Sequence, residues 1–428
     1  MNEYRSFEIM KVIIASLLFI VSFSCFSQKE LSFTDQVYED QVKTVQLYPS
    51  AGVAQDFLQP PATSIGQQNL LLEFDDLQDN RNNYYVKLIH CNWDWTKSNL
   101  SDLDFMENYN EYPVTDYNMS SNTYIRYFHY RFSVPPVKYP GNYLLIVYRN
   151  DKSDLIISKR MMIFDNQVGL TKDNQLLGNA SLNRGNQQFN FVLDYGDIQI
   201  LNPLETVHVN MRQNQRWDNT KYNLAPSFVR DDQSELEYKF LDDSKQFSGG
   251  NEFRFVDFRS LTYPGQNTSN INKSKKPYEL NVAIDRPRTD NAYAQYKDID
   301  GNYVAENVDY GEGYITGNYL FVNFNLKTDS PVDGEVYVVG RFNDFTRSKD
   351  NRMIFDQATG MYKSQQFLKQ GWYDYQYVVE SKRLNSNYIE GEHFETENTY
   401  EIAIYNRPFR PDADLLIGYY LITLNPRN

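Results

Sequence analysis

Reactive and metal-binding side chains are scarce in this sequence. Its 428 residues include two cysteines, Cys25 and Cys91, four histidines and four tryptophans. No Cys-x-x-Cys pair occurs, and His90, His129, His208 and His393 each stand alone. No two of them have the three- or four-residue spacing that places zinc ligands on one helix face. Each therefore reads as a hydrogen-bonded structural or surface histidine. Basic residues are also short, 42 against 56 acidic, for a net charge of −14. That charge repels phosphate backbones and anionic lipid surfaces alike, so nucleic acid and bare membrane make poor partners. No apolar run is long enough to span a bilayer, and the longest, near the start, falls short of the roughly 20 residues a helix needs.

That segment, Val12 to Phe23, follows Lys11 and precedes Ser24-Cys25-Phe26-Ser27-Gln28. A basic residue, a short apolar run and small residues are the layout of a secretory signal peptide, residues 1–27, with cleavage ahead of Gln28. Met10 and Lys11 already open a complete signal. The rival reading, lipidation of Cys25, meets Ser22 where a lipoprotein signal has Leu, and no acidic retention signal follows. Either route carries the chain out of the cytoplasm. Removal of the signal leaves about 400 residues, enough for about three domains. Cys91 is then left without an intrachain disulfide partner and, lying in an apolar strand pattern, reads as core packing.

What the sequence has in abundance is tyrosine, 35 residues, within an aromatic content of 15%. Apolar residues recur mostly at every second position in short runs bounded by Gly, Pro, Asn and Asp, which is the strand period. The fold class expected is all-β, as tandem immunoglobulin-like β-sandwich domains. A first sandwich over 28–165 takes runs at 44–48, 70–76, 84–95, 123–134, 142–149 and 155–164. In the third of these, Ile89, Cys91, Trp93 and Trp95 alternate with His90, Asn92 and Asp94. After a break at 165–174, a middle sandwich over 166–290 takes runs at 188–195, 206–212, 235–240, 251–257 and 278–285, with a mobile polar loop at 266–276. A linker at 291–309 leads to a third sandwich, 310–406, with runs at 319–326, 335–340, 361–367, 372–380 and 399–405. The tail, 407–428, ends in an apolar segment, 415–424, suited to pairing with a sheet edge.

The motifs that touch on chemistry are weak. Asp298-Ile299-Asp300-Gly301-Asn302 resembles part of a calcium loop, but its Gly comes too early and no bidentate Glu stands at the twelfth position, so a β-turn is expected. Gly311, Gly313 and Gly317 lack the spacing and the lysine of a phosphate loop. Acid pairs at Asp75-Asp76, Asp102 and Asp104, Asp231-Asp232 and Asp242-Asp243 carry no glycosidase signature and read as solvated turn residues. No catalytic, metal or cofactor-binding residue is expected, and no enzyme activity.

Three segments stand out together: Leu72-Glu73-Phe74-Asp75-Asp76-Leu77, then Tyr84-Tyr85-Val86-Lys87-Leu88-Ile89-His90-Cys91-Asn92-Trp93-Asp94-Trp95, then Pro140-Gly141-Asn142-Tyr143. Their order and spacing resemble the plug proteins of the type IX secretion system, over nearly the whole mature chain and most distinctively in its first module. The resemblance implies a periplasmic subunit that binds the SprA/Sov-type outer-membrane translocon barrel and seals its periplasmic opening when no cargo is engaged. Other translocon subunits are further candidate partners. It carries over no catalytic residue and leaves the partner-binding residues unknown. His90, Cys91, Asn92, Trp93 and Trp95 read as fold determinants before partner contacts, because alternation already explains them. A carbohydrate-binding envelope protein is the alternative. Val338 to Phe345 and Gly371-Trp372-Tyr373-Asp374-Tyr375 resemble immunoglobulin-like starch-binding modules, although Phe345 stands where those modules have Trp.

Overall fold

The computed structural model describes residues 29–53, 55–173, 185–187, 190–239 and 245–427. The expected signal peptide, Cys25 and Asp242-Asp243 lie outside them. The chain is all-β, built of antiparallel sheets packed as sandwiches.

In the N-terminal sandwich one sheet runs in the order Gln36–Val37, Leu155–Phe164, Gly141–Arg149, Tyr84–Cys91, Tyr112–Pro113. The facing sheet runs Val42–Pro49, Leu70–Asp76, Phe128–Ser133, Asp116–Met119. Alternation explains the packing. Along Tyr84–Cys91, Tyr84, Val86 and Leu88 are buried among Leu72, Phe74, Tyr130 and Val147, each large side chain contributing about 1.5–3 kcal/mol. Phe74, Tyr84 and Tyr130 form an aromatic trio with centroids 5.0–5.4 Å apart. The buried phenols stay satisfied, Tyr84 donating to Asp76 at 2.7 Å and Tyr130 to the Asn82 carbonyl at 2.9 Å, as amphipathic rings in a core must.

The strand expected over 84–95 stops at Cys91. Trp95 N–H donates to the Asn92 carbonyl and Trp95 has φ 67°, so the chain turns out of the sheet. The run expected over 123–134 is strand only at Phe128–Ser133, because 120–127 is held by bonds to residues 315–318.

Sheet membership departs further from chain order in the other two units. One middle sheet runs Gly169–Asp173, Asn190–Asp194, Glu235–Tyr238, Phe228–Arg230, its first strand lying in the expected break. The facing sheet joins Val207–Gln213 to Asn398–Asn406 and Leu415–Leu424. The run expected at 399–405 in the third sandwich thus closes the middle one, burying Tyr400, Ile402 and Ile404 against Phe191, Leu193 and Leu236. The apolar tail does pair with a sheet edge, as expected.

Conversely, Arg254–Asp257 and Glu279–Val282, expected in the middle unit, belong to the C-terminal unit. The first pairs with Gly371–Glu380 and the second lies parallel to Tyr319–Lys327. The C-terminal unit is therefore inserted between two strands of the middle sheet. Within 266–276, expected as a mobile loop, Thr268–Asn272 is an edge strand on Glu279–Val282, since an edge strand can be held by backbone bonds with little apolar burial. The expected linker contains Tyr303–Ala305, paired with Gly371–Glu380, and buries Tyr303 and Asn307. Arg352–Asp356 was missed in the sequence because its alternation is short and its Ile354 points outward. Tyr373, Tyr375 and Tyr377 line one buried face as expected, and Tyr375 and Tyr377 both donate to Asp285 at 2.7 Å.

Candidate functional site

Polar side chains link the units where they meet. The turn after Cys91 is one such place. Trp93 stacks on His208 of the middle unit with centroids 4.7 Å apart. Its N–H donates to Asp414 at 3.0 Å and its carbonyl accepts from Asn210 at 2.7 Å. Asn92 accepts from Arg407 at 2.9 Å. Trp95 is buried edge-on to Trp217 at 5.1 Å, and the Arg160 guanidinium lies 4.6 Å from one ring and 4.8 Å from the other. Arg212, buried in an ion pair with Glu401, sits 3.7 Å over the far ring. The cavity left there, about 10 Å³, is water-sized.

His90 and Gly141 belong to the same joint. His90 is buried, its Nδ1 sharing a hydrogen bond with Ser98 at 2.9 Å, and burial lowers its pKa to about 4. A Cβ on Gly141 would collide with the His90 ring and lie 3.3 Å from the Asp414 carbonyl. Two of the distinctive segments therefore require one another, since only glycine lets the strand pass the imidazole. Cys91 is buried and free, and burial pushes its thiol up to about 12, which makes it inert.

A second joint, to the C-terminal unit, is ionic. Asp75 and Asp76, read from sequence as solvated, are fully buried. Asp75 accepts from Lys369 Nζ at 2.7 Å, from Tyr319 at 2.6 Å, and bonds His129 Nδ1 at 2.7 Å. Burial pushes the Asp75 carboxyl up, but Lys369 and His129 outweigh that and hold it below its ordinary value. Burial lowers His129 too, and Asp75 and Glu73 reverse the direction and raise it. Lys369 Nζ also donates to the Tyr314 carbonyl and stands 4.3 Å from the Tyr127 ring. A carboxylate, an imidazole and a tyrosine are the parts of an acid–base site; here Lys369 and Tyr319 hold Asp75 across the joint, and His129 bonds the same carboxylate from within the N-terminal sandwich.

The remaining sequence candidates fall apart from one another. His393 packs beside Tyr293 at 5.6 Å. Asp102 pairs with Lys87, Asp104 caps the short helix Asp102–Phe105 through Ser101, and Asp231 and Asp232 are exposed. Residues 298–302 form the expected turn, with Asp300 at φ 53° and Gly301 at φ 78°. Asp298 there accepts from Phe253 N–H at 2.6 Å and from Arg427 at 2.7 Å. Gly313 opens a one-turn helix, Gly313–Thr316, where a Cβ would lie 2.6 Å from Glu306 Cα. Among the described residues, no group of three or more His, Cys, Asp or Glu side chains could hold a metal ion. No helix among them is long and apolar enough to cross a membrane.

The N-terminal sandwich is what the family comparison singles out. Residues 42–165 match the family model of the type 9 secretion system plug protein 1st domain. The chain carries a type IX secretion plug domain. A crystal structure of a hypothetical protein from Parabacteroides merdae superposes with a TM-score of 0.85 at 26% identity, covering 92% of this chain and 100% of that one. A search among curated proteins finds no match.

The matched span runs from Val42–Pro49 through Leu155–Phe164, so it takes in both sheets of the plug domain except the edge strand Gln36–Val37, and the turn that carries Trp93 and Trp95. Alternation alone explains Ile89 and Cys91. The two tryptophans are explained by docking of the plug domain onto the middle unit, with Asp414 lying 321 residues from Trp93 in sequence. The aromatic positions of the sugar-binding alternative are covered. Phe345 is 2% exposed under the Arg216 guanidinium, and Trp372 is stacked on Phe255 at 4.3 Å with Arg259 5.4 Å from its ring.

Proposed function

We propose that this protein is the periplasmic plug subunit of a type IX secretion translocon, binding the periplasmic opening of the SprA/Sov-type barrel and sealing it when no cargo is engaged. The plug-domain match over residues 42–165 carries the reading. The joints give it a physical basis. A cover for a wide pore has to keep its shape, and here the Lys369–Asp75 and Lys159–Asp344 ion pairs, the Trp93–His208 stack and the edge-on Trp95–Trp217 contact fix the plug domain to both other units. Its work is done by surface, as a non-enzymatic envelope protein. Purification of the tagged, full-length chain from its native membrane fraction tests the assignment. The translocon barrel is expected to co-purify, and a preparation free of the barrel, with the barrel present in the membrane, overturns the reading.

A further inference from the structure

The joint between the plug domain and the C-terminal unit surfaces as a continuous aromatic face. The loop 120–127 is tied to the C-terminal unit by Ser121 N–H to the Ile315 carbonyl at 2.9 Å, Tyr124 N–H to Asn318 at 2.9 Å, and Tyr127 hydroxyl to the Gly317 carbonyl at 3.0 Å. This brings Tyr124 against Tyr278, rings 4.6 Å apart and hydroxyls bonded. Tyr310 lies close enough to bear on the Tyr278 hydroxyl. The turn at 259–263 joins the same face, since Val308 N–H donates to the Arg259 carbonyl and Asp309 holds Ser260 Oγ and Leu261 N–H at 2.7 and 2.9 Å. Tyr263 and Tyr310 are 76% and 70% exposed, and Tyr124, Tyr314, Val308 and Met119 are exposed beside them.

In a chain of net charge −14 this face is balanced, with Lys273, Lys275, Lys276, Arg126 and Arg259 against Asp257, Glu279, Glu306, Asp309 and Glu312. Lys276 stands 4.5 Å over the Tyr124 ring, and Lys273 and Arg126 are exposed nearby. None of these three cations makes an ion pair with any described residue, whereas most of the acids around them are engaged. Glu279 pairs with Lys275, Asp257 and Glu306 pair with Arg259, and Asp309 is bonded as above. Glu312 is left as an exposed acid at the border. Rigid exposed tyrosines supply interface contact area, and unpaired cations at their rim attract carboxylates.

We infer that this tyrosine-and-cation face, shared by the plug domain and the C-terminal unit, is the docking surface for an acidic polypeptide segment of the translocon. The inference rests on the plug reading and adds to it where the chain makes contact and with what chemistry. Because the face exists only while the two units are joined, the ionic joint beneath it also sets its shape.

The test compares the full-length wild type with R126E/K273E/K276E and with Y263A/Y310A, purified from native membranes, with K382E/R383E as control. Lys382 and Arg383 follow the far end of Gly371–Glu380, about 30 Å from its start near the face. All substituted side chains are exposed, so thermal midpoints should match the wild type. The inference expects barrel retention to fall about tenfold or more in the first two variants and to stay unchanged in the control. Equal retention by all four overturns the docking face and leaves the plug reading standing. No retention by the wild type overturns both. Binding of wild type to anionic phosphatidylglycerol vesicles, lost in the charge-reversed variant, would overturn the polypeptide partner in favour of lipid.

Discussion

Where the plug domain meets the middle unit, rings and guanidinium planes do the packing, with Arg160 between Trp95 and Trp217 and Trp93 on His208. Where it meets the C-terminal unit, a carboxylate, an ammonium, an imidazole and a phenol take over, centred on Asp75. The first joint spreads its energy over apolar area and cation–π contacts, which respond little to the loss of one charge. The second depends on every charge being matched, because a lone ion in that interior has no water to turn to. At both joints the polar groups link units that lie far apart in sequence.

Removal of one member of the ionic joint should have the largest effect. Lys369→Met strands Asp75 and is expected to cost about 3–5 kcal/mol in guanidinium unfolding, with Asp75→Asn in the same chain restoring most of the loss. A double variant as unstable as the single one would show that the joint is not governed by charge. At the aromatic joint, Arg160→Met keeps the apolar stem and loses the cation between two rings, together with its bond to the Phe33 carbonyl. The expected loss is about 1–2 kcal/mol, with no rescue by a charge change elsewhere.

The third contrast is in pH. Burial, with Asp298 and Glu397 facing it and Arg427 and Thr399 only partly offsetting them, raises Asp300 from 3.8 to about 7. Glu252, at the same Arg427, is raised as well, first by burial. A carboxyl raised on folding contributes stability that is full below about 4 and lost as pH rises through 7. Unfolding midpoints should therefore fall across that range in the wild type and fall less in Asp300→Asn, read by thermal scans at pH 5 and 8. The smallest effect belongs to the exposed Arg352–Glu335 pair at 2.7 Å, where Arg352→Ala should cost under about 1 kcal/mol.

How much of this was legible in the sequence follows from the range of each interaction. Leu70–Asp76 and Leu155–Phe164 were readable to the residue, because alternation and flanking turn residues are local signals. The pairing of Asn398–Asn406 with Val207–Gln213 was not, since a whole unit intervenes and local pattern says nothing of which edge a strand will find. Asp75 looked solvated because its partner Lys369 lies 294 residues away. Cys91 and His90 were legible as fold determinants, but the role of Trp93 and Trp95 in docking needed the position of Asp414 and Trp217. The tyrosine excess was plain in the composition; many of these rings fill the cores, and the meeting of Tyr124 with Tyr278 came only from loops on two units.

The central claim, that the chain acts as a cover for a pore, is tested most directly by outer-membrane permeability to a small hydrophilic dye in a deletion strain that retains the translocon barrel. The account predicts a leak that is absent from the parent strain, restored to the parent level by the full-length chain and only partly by R126E/K273E/K276E. Permeability equal to the parent's in the deletion strain, with the barrel present, would contradict it.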